Sequence, residues 1–272
     1  MILLRVRAPA TTANVGPGYD CAAVALDLWN ELEVSDGGGV ADVDHLGVAA
    51  FARLAPVEGK SFAFLDRIPR ERGLGSSASV IALGLVAAAA VAGLDLSPEE
   101  LLAEGLPLEG HPDNLAAALA GGVCLTWDAR IARVADDTPA VPIALVPETT
   151  VATSAAREAL PTEVSHEDAA FTAGRAALLG AALASGSAAL FADALADRLH
   201  EPYRATGAPL LAAVRERPPA GALGSTVSGS GPTVVVWATR ESADACAAEL
   251  VDRFPDVSVQ PLPVSPRGAH VL

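Results

Sequence analysis

The strongest constraint in this chain is one unbroken stretch in which Gly73-Leu74-Gly75-Ser76-Ser77-Ala78-Ser79 leads straight into the apolar run from Val80 to Leu94. The run is rich in alanine and glycine, and it is shorter than the about 20 strongly apolar residues that cross a bilayer. It predicts a helix buried inside a folded protein. The residues before it constrain the chemistry. Glycines let the backbone approach a ligand closely, and a helix starting here presents unpaired N–H groups and the positive end of its dipole. The hydroxyls of Ser76 and Ser77 are placed to reach phosphate oxygens or Mg²⁺. Read alone, the motif fits an ordinary Gly/Ser turn with a serine cap equally well.

Two well-known phosphate loops are excluded. A P-loop needs a lysine after its last glycine, and Lys60 is the only lysine in the chain; the G-x-G-x-x-G spacing is also not met at Gly73. The net charge of −15 argues against a polyanion such as nucleic acid as the main partner. A single phosphate remains possible, because backbone N–H groups and a metal can hold it in a locally positive pocket. Cys21, Cys124 and Cys246 are few and scattered, which predicts free thiols in a reducing cytoplasm rather than a disulfide frame or a zinc site. The N-terminus shows no signal peptide pattern, and no membrane role is expected.

Hydrophobic residues make up 51% of the 272 residues but aromatics only 4%, so the core must be built from small and branched aliphatic side chains. Strands are expected at Ile2–Val6, Leu26–Val34, Ser61–Ile68, Val123–Trp127 and Thr233–Ala238, with another near the C-terminus. A loop is expected from Pro9 to Asp20 and a turn at Asp36–Gly39. Helices are expected at Leu46–Leu54, from Ser76 to about Val91, from the capping-box pattern at Ser97 to Glu109, and from His111-Pro112-Asp113-Asn114 to Gly121. Further helices are expected near Ser165–Ala184, Ser187–Leu199 and Ser242–Arg253. Helices and strands mix without strict alternation, which indicates α+β. Pro139, Pro142 and Pro147 mark a boundary between a domain of residues 1–145 and one of residues 146–272.

Three other segments carry polar residues in suggestive company, and each has an ordinary alternative. Glu109 can supply the one carboxylate that Mg²⁺ often takes, with His111 and Asn114 free to bind a polar substrate; capping of the following helix by Asp113 explains the segment equally well. The loop holding Asn14 and Asp20 can wrap a ligand or form a rigid turn. Ser228-Gly229-Ser230-Gly231-Pro232 can close over a ligand or simply turn into a strand. Arg157 and Arg204 are ordinary surface charges unless a substrate carboxylate is present, which a guanidinium grips with two parallel hydrogen bonds.

Taken together and in this order, these segments resemble the GHMP kinases, most of all the branch acting on homoserine. The residues that carry the resemblance are Pro9 through Asp20, Ile68-Pro69 through Ser79, Glu109 through Asn114, Arg157, His200-Glu201-Pro202-Tyr203-Arg204, and Ser228 through Pro232. The resemblance implies a ribosomal-S5-domain-2-like N-terminal ATP-binding domain joined to a ferredoxin-like C-terminal domain. It implies ATP-dependent phosphorylation of the side-chain hydroxyl of L-homoserine in threonine biosynthesis, or of a different small alcohol such as mevalonate or a sugar. ATP phosphates would lie on Pro69, Gly73, Leu74, Gly75, Ser76, Ser77, Ala78 and Ser79, with Mg²⁺ held by Ser77 and Glu109. Asn14, Asp20, His111, Asn114, Arg157 and Arg204 would line the amino-acid pocket. Thr153, Asp113 and Asn114 would stand near the reacting groups. Similar enzymes are often homodimers. The chain departs from the pattern in a short Ser35–Lys60 segment, in Tyr19 where phenylalanine is common, and in Pro107, which is expected to displace the Glu109 carboxylate.

Overall fold

A computed structural model of the chain describes residues 2–37 and 42–272. Gly38 and Gly39 of the expected Asp36–Gly39 turn lie outside the described residues. Strands β1 (Ile2–Ala13) and β2 (Ala22–Asp36) pair antiparallel along most of their length. The expected loop from Pro9 is corrected: β1 continues through Pro9 to Ala13. The proline is tolerated because the ladder register shifts between Pro9 and Ala10, where no hydrogen bond is demanded of it. The loop that remains, Asn14 to Cys21, is short and mostly buried.

β3 (Lys60–Leu65), β4 (Val123–Trp127), β5 (Arg130–Ala135) and β10 (His270–Val271) complete the first sheet, in the order β10-β1-β2-β4-β5 with β3 also on β2. Helices α1 (Leu46–Ala52), α2 (Ser76–Ala92), α3 (Pro98–Glu109) and α4 (Pro112–Ala120) pack on it. α2 is the centre of that layer. It is apolar all round and buries Ala78 through Leu85 and Ala87 through Ala89, in one core with Leu32, Phe51, Leu102 and Leu115. α3 begins with both halves of its capping box formed: the Ser97 hydroxyl accepts from Glu100 N–H, and the Glu100 carboxylate accepts from Ser97 N–H. The helix runs on through Pro107 to Glu109.

The second sheet holds β6 (Val141–Val146), β7 (Ala222–Val227), β8 (Val234–Ala238) and β9 (Ser258–Pro261) in the antiparallel order β7-β8-β6-β9. Between β6 and β7 lie α5 (Thr153–Glu158), α6 (His166–Ser185), α7 (Ala188–Ala194), α8 (Glu201–Arg204) and α9 (Pro209–Glu216); α10 (Ala243–Arg253) joins β8 to β9. Strand–helix–strand–strand–helix–strand with this order is the ferredoxin-like arrangement. β5, β6 and β7 are absent from the sequence expectation: prolines punctuate β6, and Gly224-Ser225-Thr226 dilute the apolar pattern of β7. The helix expected over Ser187–Leu199 stops at Ala194. The buried Asp197 carboxylate then accepts the backbone N–H groups of Leu199, His200 and Glu201 and turns the chain into α8.

A shared core of Ala10, Leu26, Ile68, Phe191, Leu195 and Trp237 joins the two halves, and the chain end returns to pair β10 with β1. The architecture is α+β, as the mixed pattern indicates. No described helix is long and apolar enough to cross a membrane.

Candidate active site

α2 opens without a side-chain cap, because the cap position is Gly75 at φ 65°. The first helical bond at this end runs from Ser79 N–H to Gly75 O at 2.9 Å. The amides of Ser76, Ser77 and Ala78 therefore have no intrahelical acceptor. Gly75 is required for space as well as for its backbone angle: a Cβ there would lie 1.8 Å from Thr11 Oγ1. Gly73, at φ 76°, would put a Cβ 2.2 Å from Ser228 O. The two glycine loops are interlocked. Gly73 O can only accept, so Ser228 Oγ donates to it at 2.6 Å and accepts from Thr12 Oγ1 at 2.8 Å.

This helix end faces a cavity of about 150 Å³. Of the residues singled out in the sequence, Asn14, Asp20, Pro69, Gly73, Gly75, Ser76, Ser77, Glu109, His111, Asp113, Asn114, Thr153, Arg157 and Arg204 all line it. Leu74, Ala78 and Ser79 do not. Their side chains are at most 1% exposed and point into the cores, and Ser79 Oγ donates to Ala8 O. Of those three positions only Ala78 offers an open backbone amide, since Ser79 N–H is spent on Gly75 O. Leu74 O accepts Thr11 N–H at 3.1 Å, and the amide of Ala78 is one of the free ones.

α3 and α4 deliver the acidic side. Ser77 Oγ donates to Glu109 Oε2 at 2.5 Å, two residues beyond Pro107 in α3. Burial pushes Glu109 up to about 7; the Ser77 hydrogen bond opposes this and the Asp113 charge adds to it. Asp113 is 2% exposed and accepts Asn114 N–H at 2.7 Å. Burial pushes it up to about 6 despite that bond. Asn114 Oδ1 accepts from Thr11 Oγ1 at 2.6 Å. His111 is held below its usual range, by burial first and by Arg157 second.

The opposite wall is cationic. Arg157, in α5, donates to Asp20 Oδ1 at 2.6 Å and to Tyr19 OH at 2.8 Å. Arg204, at the end of α8, is 4% exposed and donates to Gly229 O at 2.9 Å. The same carbonyl accepts from Asn14 Nδ2 at 3.2 Å, and Asn14 Oδ1 accepts Asp20 N–H. The Nε of each arginine is buried without a partner. Thr153 stands at the start of α5, one turn before Arg157.

Sequence reasoning left Glu71, Gly229 and Ser230 out of the lining set, together with the supports Thr11, Thr12 and Ser228. The Ser228–Pro232 segment carried a signal as a glycine loop, whereas Thr11 and Thr12 read only as loop residues. A neighbouring cavity of about 370 Å³ shares Glu71, Ser76 and Ser77 and is lined further by His45, Leu46, Arg70 and Val80.

Such a site can take a polyanion on free helix amides beside the Glu109 carboxylate, and a small carboxylate-bearing molecule between two guanidinium groups of the same cavity. Comparison with known proteins bears on this directly. Residues 45–122 match the GHMP kinases N terminal domain and residues 176–256 the GHMP kinases C terminal domain. The homoserine kinase of Synechococcus sp. is 40% identical, over 89% of this chain and 88% of its own length. That of Gloeobacter violaceus is 38% identical over 98% of each. The crystal structure of homoserine kinase from Cytophaga hutchinsonii superposes with a TM-score of 0.85 at 26% identity, covering 99% of this chain and 97% of that one. The chain belongs to the GHMP kinase family, among its homoserine kinases.

Proposed function

We propose that this chain transfers the γ-phosphoryl group of ATP to the side-chain hydroxyl of L-homoserine, giving O-phospho-L-homoserine, ADP and a proton. The observation that carries the proposal is the Ser77–Glu109 contact. It brings the open end of α2 and a half-buried carboxylate into the cavity that also holds Arg157 and Arg204.

Residues 1–145 then form the ATP-binding half and 146–272 the substrate-closing half, with β6 and β10 crossing between them. The β- and γ-phosphates lie on the amides of Ser76, Ser77 and Ala78, and the base enters the adjoining cavity beside His45 and Val80. Mg²⁺ fits the donor set. It takes hard oxygens and only one or two carboxylates, and its remaining ligands are phosphates and water. Ser77 and Glu109 supply one hydroxyl and one carboxylate. Among the described residues no group of three or more His, Cys, Asp or Glu side chains forms a protein-only cage. The ion, when bound, neutralises phosphate charge.

At the amino-acid end, Asp20 and Arg157 satisfy each other. A zwitterion can enter that pair: its ammonium takes Asp20, and its carboxylate takes Arg157 and Arg204. That fixes the backbone end of the substrate and extends its hydroxyl toward Thr153 and Asn114. Phosphoryl transfer depends mainly on in-line positioning and charge neutralisation, and these contacts provide the first. Asp113 is the carboxylate nearest to a direct role in taking up the hydroxyl proton, since its raised range keeps it basic near neutrality. The three free thiols support a reducing cytoplasm.

A coupled assay for ADP release tests the reading with L-homoserine, mevalonate and galactose, each with and without Mg²⁺. Turnover with L-homoserine and Mg²⁺ is expected. Silence with homoserine and turnover with another alcohol overturns the substrate assignment.

A further inference from the structure

His200 lies outside the cavity, yet it contacts the Asn14–Asp20 loop and the Tyr19 ring behind the cationic wall. Its side chain is fully buried. Nε2 is 2.7 Å from Gly16 O, in the middle of the Asn14–Asp20 loop. A carbonyl can only accept, so Nε2 carries the proton and Nδ1 is left as a buried acceptor without a partner. The ring packs on Tyr19 with centroids 5.2 Å apart. The Tyr19 ring in turn lies under both guanidinium groups, with Arg157 Cζ at 5.5 Å and Arg204 Cζ at 5.0 Å. His200 begins the short helix that ends at Arg204, and Asp197 pins that segment through three backbone N–H groups. One imidazole thus contacts the loop that carries Asn14 and Asp20, the aromatic ring beneath both arginines, and the backbone that carries one of them.

We propose that His200 is a positioning residue that registers the substrate loop of the N-terminal half against the arginine-bearing segment of the C-terminal half, through its hydrogen bond to Gly16 O and its stack on Tyr19. The inference rests on the assignment of Arg157 and Arg204 to the substrate carboxylate. A buried imidazole leaving one nitrogen unpaired is a costly way to fill space. An apolar ring of similar size fills the same volume without that cost, so the donor to Gly16 O is the feature to test. A shift of the 14–20 loop moves Asp20 away from Arg157 and Tyr19 away from both guanidiniums. It leaves the α2 amides, Ser77 and Glu109 in place. The effect therefore falls on the amino-acid end and spares the nucleotide end.

The test uses the full-length protein and three variants. His200→Gln offers an amide N–H at the position of Nε2 to Gly16 O, His200→Phe keeps the ring on Tyr19 but has no donor, and Tyr19→Leu removes the ring under the arginines. KM for L-homoserine is expected to rise roughly tenfold or more in His200→Phe, the scale of a lost buried hydrogen bond. KM for ATP should stay within about twofold, and His200→Gln should recover most of the loss. Hydrogen–deuterium exchange of residues 14–20 should quicken in His200→Phe and stay near wild type in His200→Gln. That readout needs no substrate. If wild type fails to turn over L-homoserine, the functional reading fails while the exchange comparison still decides the role of His200. If His200→Phe does not fold, Tyr19→Leu must show the same selective rise in the amino-acid KM. Unchanged KM and unchanged exchange, or an equal rise in both KM values, overturns the proposal.

Discussion

Replacing Asp113 with asparagine should make the protein more stable at neutral pH and less active. The carboxylate is 2% exposed, and burial lifts it from 3.8 to about 6. Below 3.8 it is protonated both folded and unfolded, and it costs nothing. As pH rises through 3.8 the unfolded chain ionises while the folded one does not, so stability falls, and it levels off only above about 6. The gap between 3.8 and about 6 corresponds to about 3 kcal/mol. Asparagine keeps an oxygen for Asn114 N–H but brings an NH₂ that must find partners, at a cost of about 1–2 kcal/mol. The net gain at pH 7 is then about 1–2 kcal/mol, or a rise in Tm of about 2–4 °C for a chain of this size. Thermal and urea unfolding from pH 4 to 8 measures it. Wild type should lose stability relative to the variant between pH 4 and 6, and the difference should be constant above that. A variant that is no more stable than wild type at pH 7 refutes the reasoning. Loss of turnover alongside the gain in stability identifies the buried charge as one retained for function.

Gly75→Ala should cost about 2–4 kcal/mol and abolish activity, because the new methyl meets Thr11 Oγ1 at 1.8 Å and the backbone is at φ 65°. Adding Thr11→Ala removes the clash, so the double variant should be more stable than the sum of the single effects, by denaturation. Glu109→Gln should reduce kcat by roughly 100-fold or more with Tm unchanged or raised, since it removes a charge that burial already disfavours. Ser97→Ala should cost about 1 kcal/mol through loss of the capping box and leave kcat and both KM values unchanged, which steady-state kinetics and thermal melting check together.

The sequence by itself determined the pieces whose energetics are local. The glycine-led apolar run, the Ser97 capping box, the helix opened by Pro112 and the strand Val123–Trp127 all formed where neighbouring residues demanded them. The order of the motifs carried the family and, with it, most of the cavity lining. Tertiary structure alone decided the rest. Pro9 sits inside β1 because a register shift excuses its missing N–H, and β6 is a central strand despite Pro142 because its neighbours supply the pairing. Ala78 and Ser79 face the core, whereas Ser76 and Ser77 face the cavity, because a helix sends adjacent residues in different directions. The lifted ranges of Glu109 and Asp113 come from desolvation, a property of the packed surroundings that no spacing encodes. The Gly16–His200–Tyr19 contact joins segments far apart in the chain, and only the docking of the two halves brings its partners within reach.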